Sequence, residues 1–209
     1  MTKNTLLAAI LCALPLSAQS ATAIKLSYSS GSVDLTTDGI PSEIEASGFG
    51  VTAIYDIGSD IEISAGYANA SGDIISFGLA FDYEYESIYA MPVYYILDSY
   101  DKGSASGTQI YSSLTFSRDT ITIDGNATTE DSTVVGIGAK IGLGNSLSAV
   151  ATLNSDVEHF GDDKSYSFGV NYLIEGKHEI AVGISTSDSN TDGEKLSSSG
   201  YYLSYYLHF

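Results

Sequence analysis

The spacing closest to a known chemistry lies near the C-terminus. In DSNTDGE, Asp188, Asn190, Asp192 and Gly193 reproduce D-x-N-x-D-G, the first half of a calcium loop, where side-chain oxygens converge as a glycine turns the backbone. The twelfth position is Ser199, not the bidentate glutamate, and the flanking segments read as strands, so a plain acidic loop competes with this weak metal candidate. His159, in NSDVEHFGDD, has Asp156, Glu158, Asp162 and Asp163 beside it, a set that suits a rim base or a cation site. No serine is matched to it as a nucleophile, and His178 and His208 lack metal-ligand spacing. The sequence therefore predicts no enzyme, no catalytic residue and no cofactor.

The elements that would position these residues begin after a leader. Lys3, the apolar stretch Leu6 to Leu16, and Ala21-Thr22-Ala23 together read as a signal peptide over residues 1–23, leaving one domain over 24–209. Cys12 is the only cysteine and lies inside the leader, so disulfides and thiolate metal sites are excluded from the domain. With 26 acidic against 8 basic residues, the chain is a poor partner for nucleic acid or an anionic lipid surface. Sixteen tyrosines argue against a disordered acidic chain, which would be poor in aromatics.

A period of two runs along the domain. In IISFGLAFDYEY, Ile75, Phe77, Leu79, Phe81, Tyr83 and Tyr85 fall on one face and Ser76, Gly78, Ala80, Asp82 and Glu84 on the other. The pattern recurs in GFGVTAIYDI, IEISAGY, YSFGVNYLI, HEIAVGI and the C-terminal run YYLSYYLHF. A soluble sandwich needs bulk inside, whereas a transmembrane barrel points bulk at lipid and keeps its lumen polar. Here the large residues share one face and small polar ones the other. In a bilayer such strands must close, because no edge can go unpaired. The fold class is all-β: a closed antiparallel transmembrane β-barrel.

Turn signals give the strand number. TTDGIPSE, NASGD, DSYDKGSASG, DGNATTEDS, NSDVEHFGDDK and SDSNTDGEKLSS read as outer loops; IGSD, YEYES, SRD, GLGN and EGK read as tight turns at the other end. Six loops and five turns make twelve strands, with ten and eight as alternatives. Twelve strands of ~10 residues leave roughly six per connection, near the usual length. IYAMPVYYIL is the weakest strand, since Pro92 cannot donate to a ladder.

This topology sends Lys25, Asp56, Glu62, Asp82, Glu84, Lys140, Glu179 and His208 into the lumen at the periplasmic halves of their strands, where they form a possible constriction. Ser64, Gly66, Gly78, Ala80, Gly136, Gly138, Ser167, Gly169, Gly183 and Ser185 are small inward residues that leave space above it. Outward Tyr55, Tyr83, Tyr85, Tyr89, Phe116, Tyr172 and Phe209 make one girdle, and Phe49, Tyr67, Phe77, Tyr166, Phe168 and Tyr201 the other.

On these marks the chain resembles small Gram-negative outer-membrane β-barrels of the broad porin-like superfamily. The likeness spans the whole domain but rests on generic features: leader, alternating strands and a last strand ending in phenylalanine. It implies an outer-membrane location and an assembly signal at Tyr201, Leu203, Tyr205, Leu207 and Phe209, read by the barrel-assembly machinery. The expected function is a narrow channel for small solutes or cations with acidic extracellular loops. The alternative is a structural or adhesive surface barrel without transport, its loops joined to the outer leaflet through divalent cations. Outer-membrane lipid is the expected partner in either case.

Overall fold

A computed structural model describes residues 22–37, 40–101, 104–158, 162–191 and 194–209. Ten strands run in chain order: β1 (Ala23–Thr37), β2 (Ile40–Asp56), β3 (Ile61–Ser76), β4 (Leu79–Asp98), β5 (Thr108–Ile123), β6 (Asn126–Gly144), β7 (Leu147–Asp156), β8 (Lys164–Ile174), β9 (His178–Thr191) and β10 (Glu194–His208). Each pairs antiparallel with its neighbours in sequence, and β1 pairs with β10 to close the barrel. Followed strand by strand from His208 around the wall, the register returns to β10 near Leu196. That stagger of about 12 residues corresponds to strands tilted by ~40°.

Ten strands, not twelve, make the wall. NASGD lies inside β3, YEYES inside β4 and SRD inside β5. The true hairpins there are two-residue turns, Phe77-Gly78 and Asp124-Gly125, in which both residues have positive φ (53° and 75°; 46° and 78°). Such turns match the right-handed twist of the flanking strands. The strand count failed because it assumed strands just long enough to cross a membrane, whereas β4 has 20 residues and β6 has 19. With two strands fewer, the connection 99–107 falls on the same side as the chain termini, not outside. Pro92 sits in β4 opposite Ile63, and the ladder to β5 breaks register only between Tyr95 and Leu97.

The large apolar side chains point outward: Phe49 is 67% exposed, Ile184 63% and Phe168 52%. Thr52, Ser64, Gln109, Ser148, Asn171, Glu179 and Ser204 are buried inward. That inversion fits a wall facing hydrocarbon on the outside.

The polarity of the wall changes along the strands. On the outward face, Leu26 and Tyr28 of β1 give way to Ser30, Ser32 and Asp34, Val51 and Phe49 of β2 to Ser47, Glu45 and Glu43, and Tyr94 and Ile88 of β4 to Glu86, Glu84 and Asp82. On the inward face the change runs the other way: Lys25, Ser27 and Ser29 are followed by Gly31, Val33 and Leu35. Val33, Ile44, Ile74 and Phe81 are successive register partners on β1 to β4. The strands therefore outrun the apolar band and continue as a sheet wetted on its outer face.

Candidate functional site in the lumen

A cavity of about 510 Å³ occupies the half of the lumen nearer the termini. Lys25, Asp56, Glu62, Lys140, Glu179 and His208 line it. Glu179, projecting from the start of β9, is its most connected side chain. Its Oε1 accepts from Lys140 Nζ at 2.8 Å and from Asn171 Nδ2, and its Oε2 lies 3.2 Å from His208 Nε2. Burying this carboxylate is tolerable because charged and polar donors surround it. On another part of the wall, Glu62 accepts from the Tyr95 hydroxyl at 2.8 Å and from Ser64 at 3.4 Å. Lys25 stands 5.6 Å from the centre of the Tyr206 ring, and Lys140 stands 4.6 Å from that of Tyr100 in the β4–β5 connection. Tyr206 in turn stacks on His208.

Asp82 and Glu84 do not join this layer. They lie on the outward, exposed face of β4, beyond the apolar band. The two-residue turn at Phe77-Gly78 pairs Ser76 with Leu79 and Ile75 with Ala80, so the odd positions that face out on β3 face in on β4. For the same reason Tyr83, Tyr85 and Tyr89 leave the expected girdle and point inward, and Phe77 lies at the turn itself. Outward Tyr55, Tyr172 and Phe209 remain near the end that carries the termini, and Phe49, Tyr166, Phe168 and Tyr201 near the other.

The small lumen residues do two different things. Gly66 is the register partner of Tyr89, Gly138 of Tyr111 and Gly183 of Tyr202, and in each pair the tyrosine ring covers the glycine. A methyl group added at any of the three would fall within 2.7 Å of that ring. These glycines make room for tyrosine, not water. Gly78 sits in a turn and Ala80 faces outward. Space does remain along β8–β10 and β1–β3, where a second cavity of about 980 Å³ is bordered by Gly31, Ala46, Gly72, Ser167, Ser185 and Gly200 with their neighbours. Both cavities touch Ser167 and Ser185, and the Tyr202 hydroxyl stands between Gly169 and Gly183 beside that junction.

Tyr202 and Tyr206 face inward beside Ser204 and His208, as alternation along YYLSYYLHF predicts, whereas inward Tyr89, Tyr95 and Tyr111, with Gln109 and Asn171, were missed as lumen residues. The signal that could have found them is cross-strand pairing of tyrosine with glycine, which needs the register. Of the calcium loop, Asp188 and Asn190 lie on β9 opposite Ser197 and Lys195, while Asp192 is outside the described residues. His159 and the leader up to residue 21 are also outside them. Among the described residues no group of three or more His, Cys, Asp and Glu side chains converges as metal ligands.

The C-terminal run closes the wall. Tyr201, Leu203, Tyr205 and Leu207 form an outward row on β10, Ala23 pairs with His208, and the Phe209 amide donates to the Thr22 carbonyl at 3.0 Å. The Tyr205 hydroxyl lies 2.6 Å from His178 Nδ1.

A closed antiparallel barrel with an apolar outer band and a polar lumen beneath it is the architecture of a transmembrane β-barrel. Among solved structures the chain is similar to the translocator domain of the autotransporter NalP from Neisseria meningitidis, at 13% identity over 99% of this chain and 98% of that one, with a TM-score of 0.55. Neisserial surface protein A (14% identity, 90% of this chain and 99% of that one, TM-score 0.45) and the KdgM porin in complex with oligogalacturonate (10%, 90% and 99%, 0.44) are further matches. Likenesses at these identities concern the fold. No protein-family model matches the sequence, and no curated protein matches it.

Proposed function

We propose that this protein is a narrow channel for small polar solutes, with a slight preference for cations, in the outer membrane of a Gram-negative bacterium. The observation that carries the reading is the pair of adjoining cavities, about 980 Å³ and 510 Å³, that meet at Ser167 and Ser185. Asp56, Glu62 and Glu179 outnumber Lys25 and Lys140 around the inner one, so a permeating cation meets the more favourable field. The test is planar-bilayer recording. Steady unitary currents whose reversal potential favours cations support the channel. Silence from a folded, heat-modifiable preparation removes it.

A second reading has its own observation. The tyrosines over Gly66, Gly138 and Gly183, with the Lys140–Glu179–His208 cluster, fill part of the lumen as a structural barrel would. In that case the acidic outer surface is the working part, joined to the outer leaflet through divalent cations. Neither reading assigns catalysis.

Residues 1–23 are proposed as the signal peptide, whose removal would take Thr22 and Ala23 from the seam and leave β1 to begin at Ile24 opposite Leu207, and the outward row ending at Phe209 is proposed as the signal for the barrel-assembly machinery. Phe209→Asp should lower outer-membrane insertion more than any single change in an outer loop, as measured by surface protease protection; normal insertion of that variant removes the assignment.

A further inference from the structure

The wall is not level at its outer end. β6 continues outward to Asn126, but β7 ends at Asp156 and β8 begins at Lys164. The ladder from β6 to β7 reaches Val134 and Asp156, with one further bond from the Val157 amide to the Thr133 carbonyl at 2.9 Å. Because backbone groups alternate along a strand, Thr133 fixes the direction of those beyond it: Ala127, Thr129 and Asp131 turn their amides and carbonyls to the same side, away from β5. Among the described residues nothing pairs with them there. Residues 126–131 are all exposed. An exposed row of unpaired donors and acceptors is a template for another strand.

We propose that this edge of β6 is a docking site for an extended, cationic peptide segment of a partner protein, added as one more strand. Backbone bonds to Ala127, Thr129 and Asp131 supply the affinity. The chemistry of the partner follows from the side chains an added strand would meet: Thr128 and Glu130 on one face, Thr129 and Asp131 on the other. Threonines favour β-branched neighbours, and Glu130 favours lysine or arginine. Arg118 already holds Asp131, at 2.7 and 2.9 Å, which leaves Glu130 as the specifying charge.

The site does not depend on whether the lumen conducts. It is tested with the full-length barrel in nanodiscs and a labelled seven-residue peptide, acetyl-KTVKVTK-amide, by fluorescence anisotropy. Thr129→Pro is the informative variant. It removes an amide that points off the barrel and no ladder bond, so heat-modifiable migration should be unchanged. The expected result is saturable binding weakened at least tenfold by Thr129→Pro and lost when alternate peptide amides are N-methylated. Equal binding by the N-methylated peptide or by the proline variant would mean charge attraction alone and would overturn the proposal. So would sedimentation showing that the edge is already covered by a second copy, as a dimer that Thr129→Pro dissociates.

Discussion

The inner and outer halves of the same strands obey opposite rules. On the inner half, Val182, Leu203 and Tyr172 face outward and Ser64, Glu179 and Ser204 inward. On the outer half, Glu84, Arg118 and Asp131 face outward, while Val33, Ile44, Ile74 and Phe81 form an inward row. What differs is the solvent against the outer face. Hydrocarbon rewards bulk on the outside and forces polar groups to find partners within, whereas water reverses both preferences.

The sharpest way to break this comparison is inside the inner half. Lys140→Met leaves the Glu179 carboxylate buried without its lysine and should cost about 3–5 kcal/mol. Restoring stability by Lys140→Met with Glu179→Leu would show that the loss came from the stranded charge, and urea unfolding in lipid vesicles reads both. Next comes a matched pair of arginines. Val182→Arg, in the apolar band, should cost about 2–4 kcal/mol, while Thr122→Arg, outward on β5 opposite Glu84, should stay within about 0.5 kcal/mol. Equal costs would mean that the band extends farther out than the polarity change indicates.

Gly183→Ala should cost about 1–3 kcal/mol, because its methyl group collides with both the Tyr202 ring and the Phe168 carbonyl oxygen, and Tyr202→Ala should recover only the part due to the ring. If Gly183→Ala is neutral, the tyrosine moves freely and the junction between the cavities is open. The smallest effect is expected at the surface. The Arg118 guanidinium holds the Asp131 carboxyl below the usual carboxylate range. Its contribution is present above the ordinary carboxylate pKa and fades as the pH falls through the depressed value. Arg118→Gln should return the Asp131 titration, followed by NMR, to the ordinary range with little change in the unfolding midpoint, since exposed ion pairs contribute little.

Much of the wall was legible without coordinates. Strict alternation in IEISAGY and HEIAVGI set their inward and outward faces correctly, and six of the eight expected lumen charges, Lys25, Asp56, Glu62, Lys140, Glu179 and His208, line the inner cavity. The other two were misplaced by one turn. IISFGLAFDYEY alternates without interruption through Phe77-Gly78, so the sequence pattern continues where the chain reverses, and the faces exchange. Asp124-Gly125 carried a stronger hairpin signal, hidden within a polar stretch whose NATTEDS turned out to be β6.

The sequence by itself determined that one face of each strand meets oil and the other does not, because side chains alternate across a strand whatever its partners. It also determined which end closes the wall, since the C-terminal row is apolar to its last residue. Only the tertiary structure decided how many strands there are and where each points beyond the membrane, because two-residue turns fix register and register fixes faces. It alone set Tyr89, Tyr111 and Tyr202 over their glycines and left the edge of β6 without a neighbour among the described residues. Both depend on which residues of distant segments stand side by side, and alternation within one strand carries no information about the next.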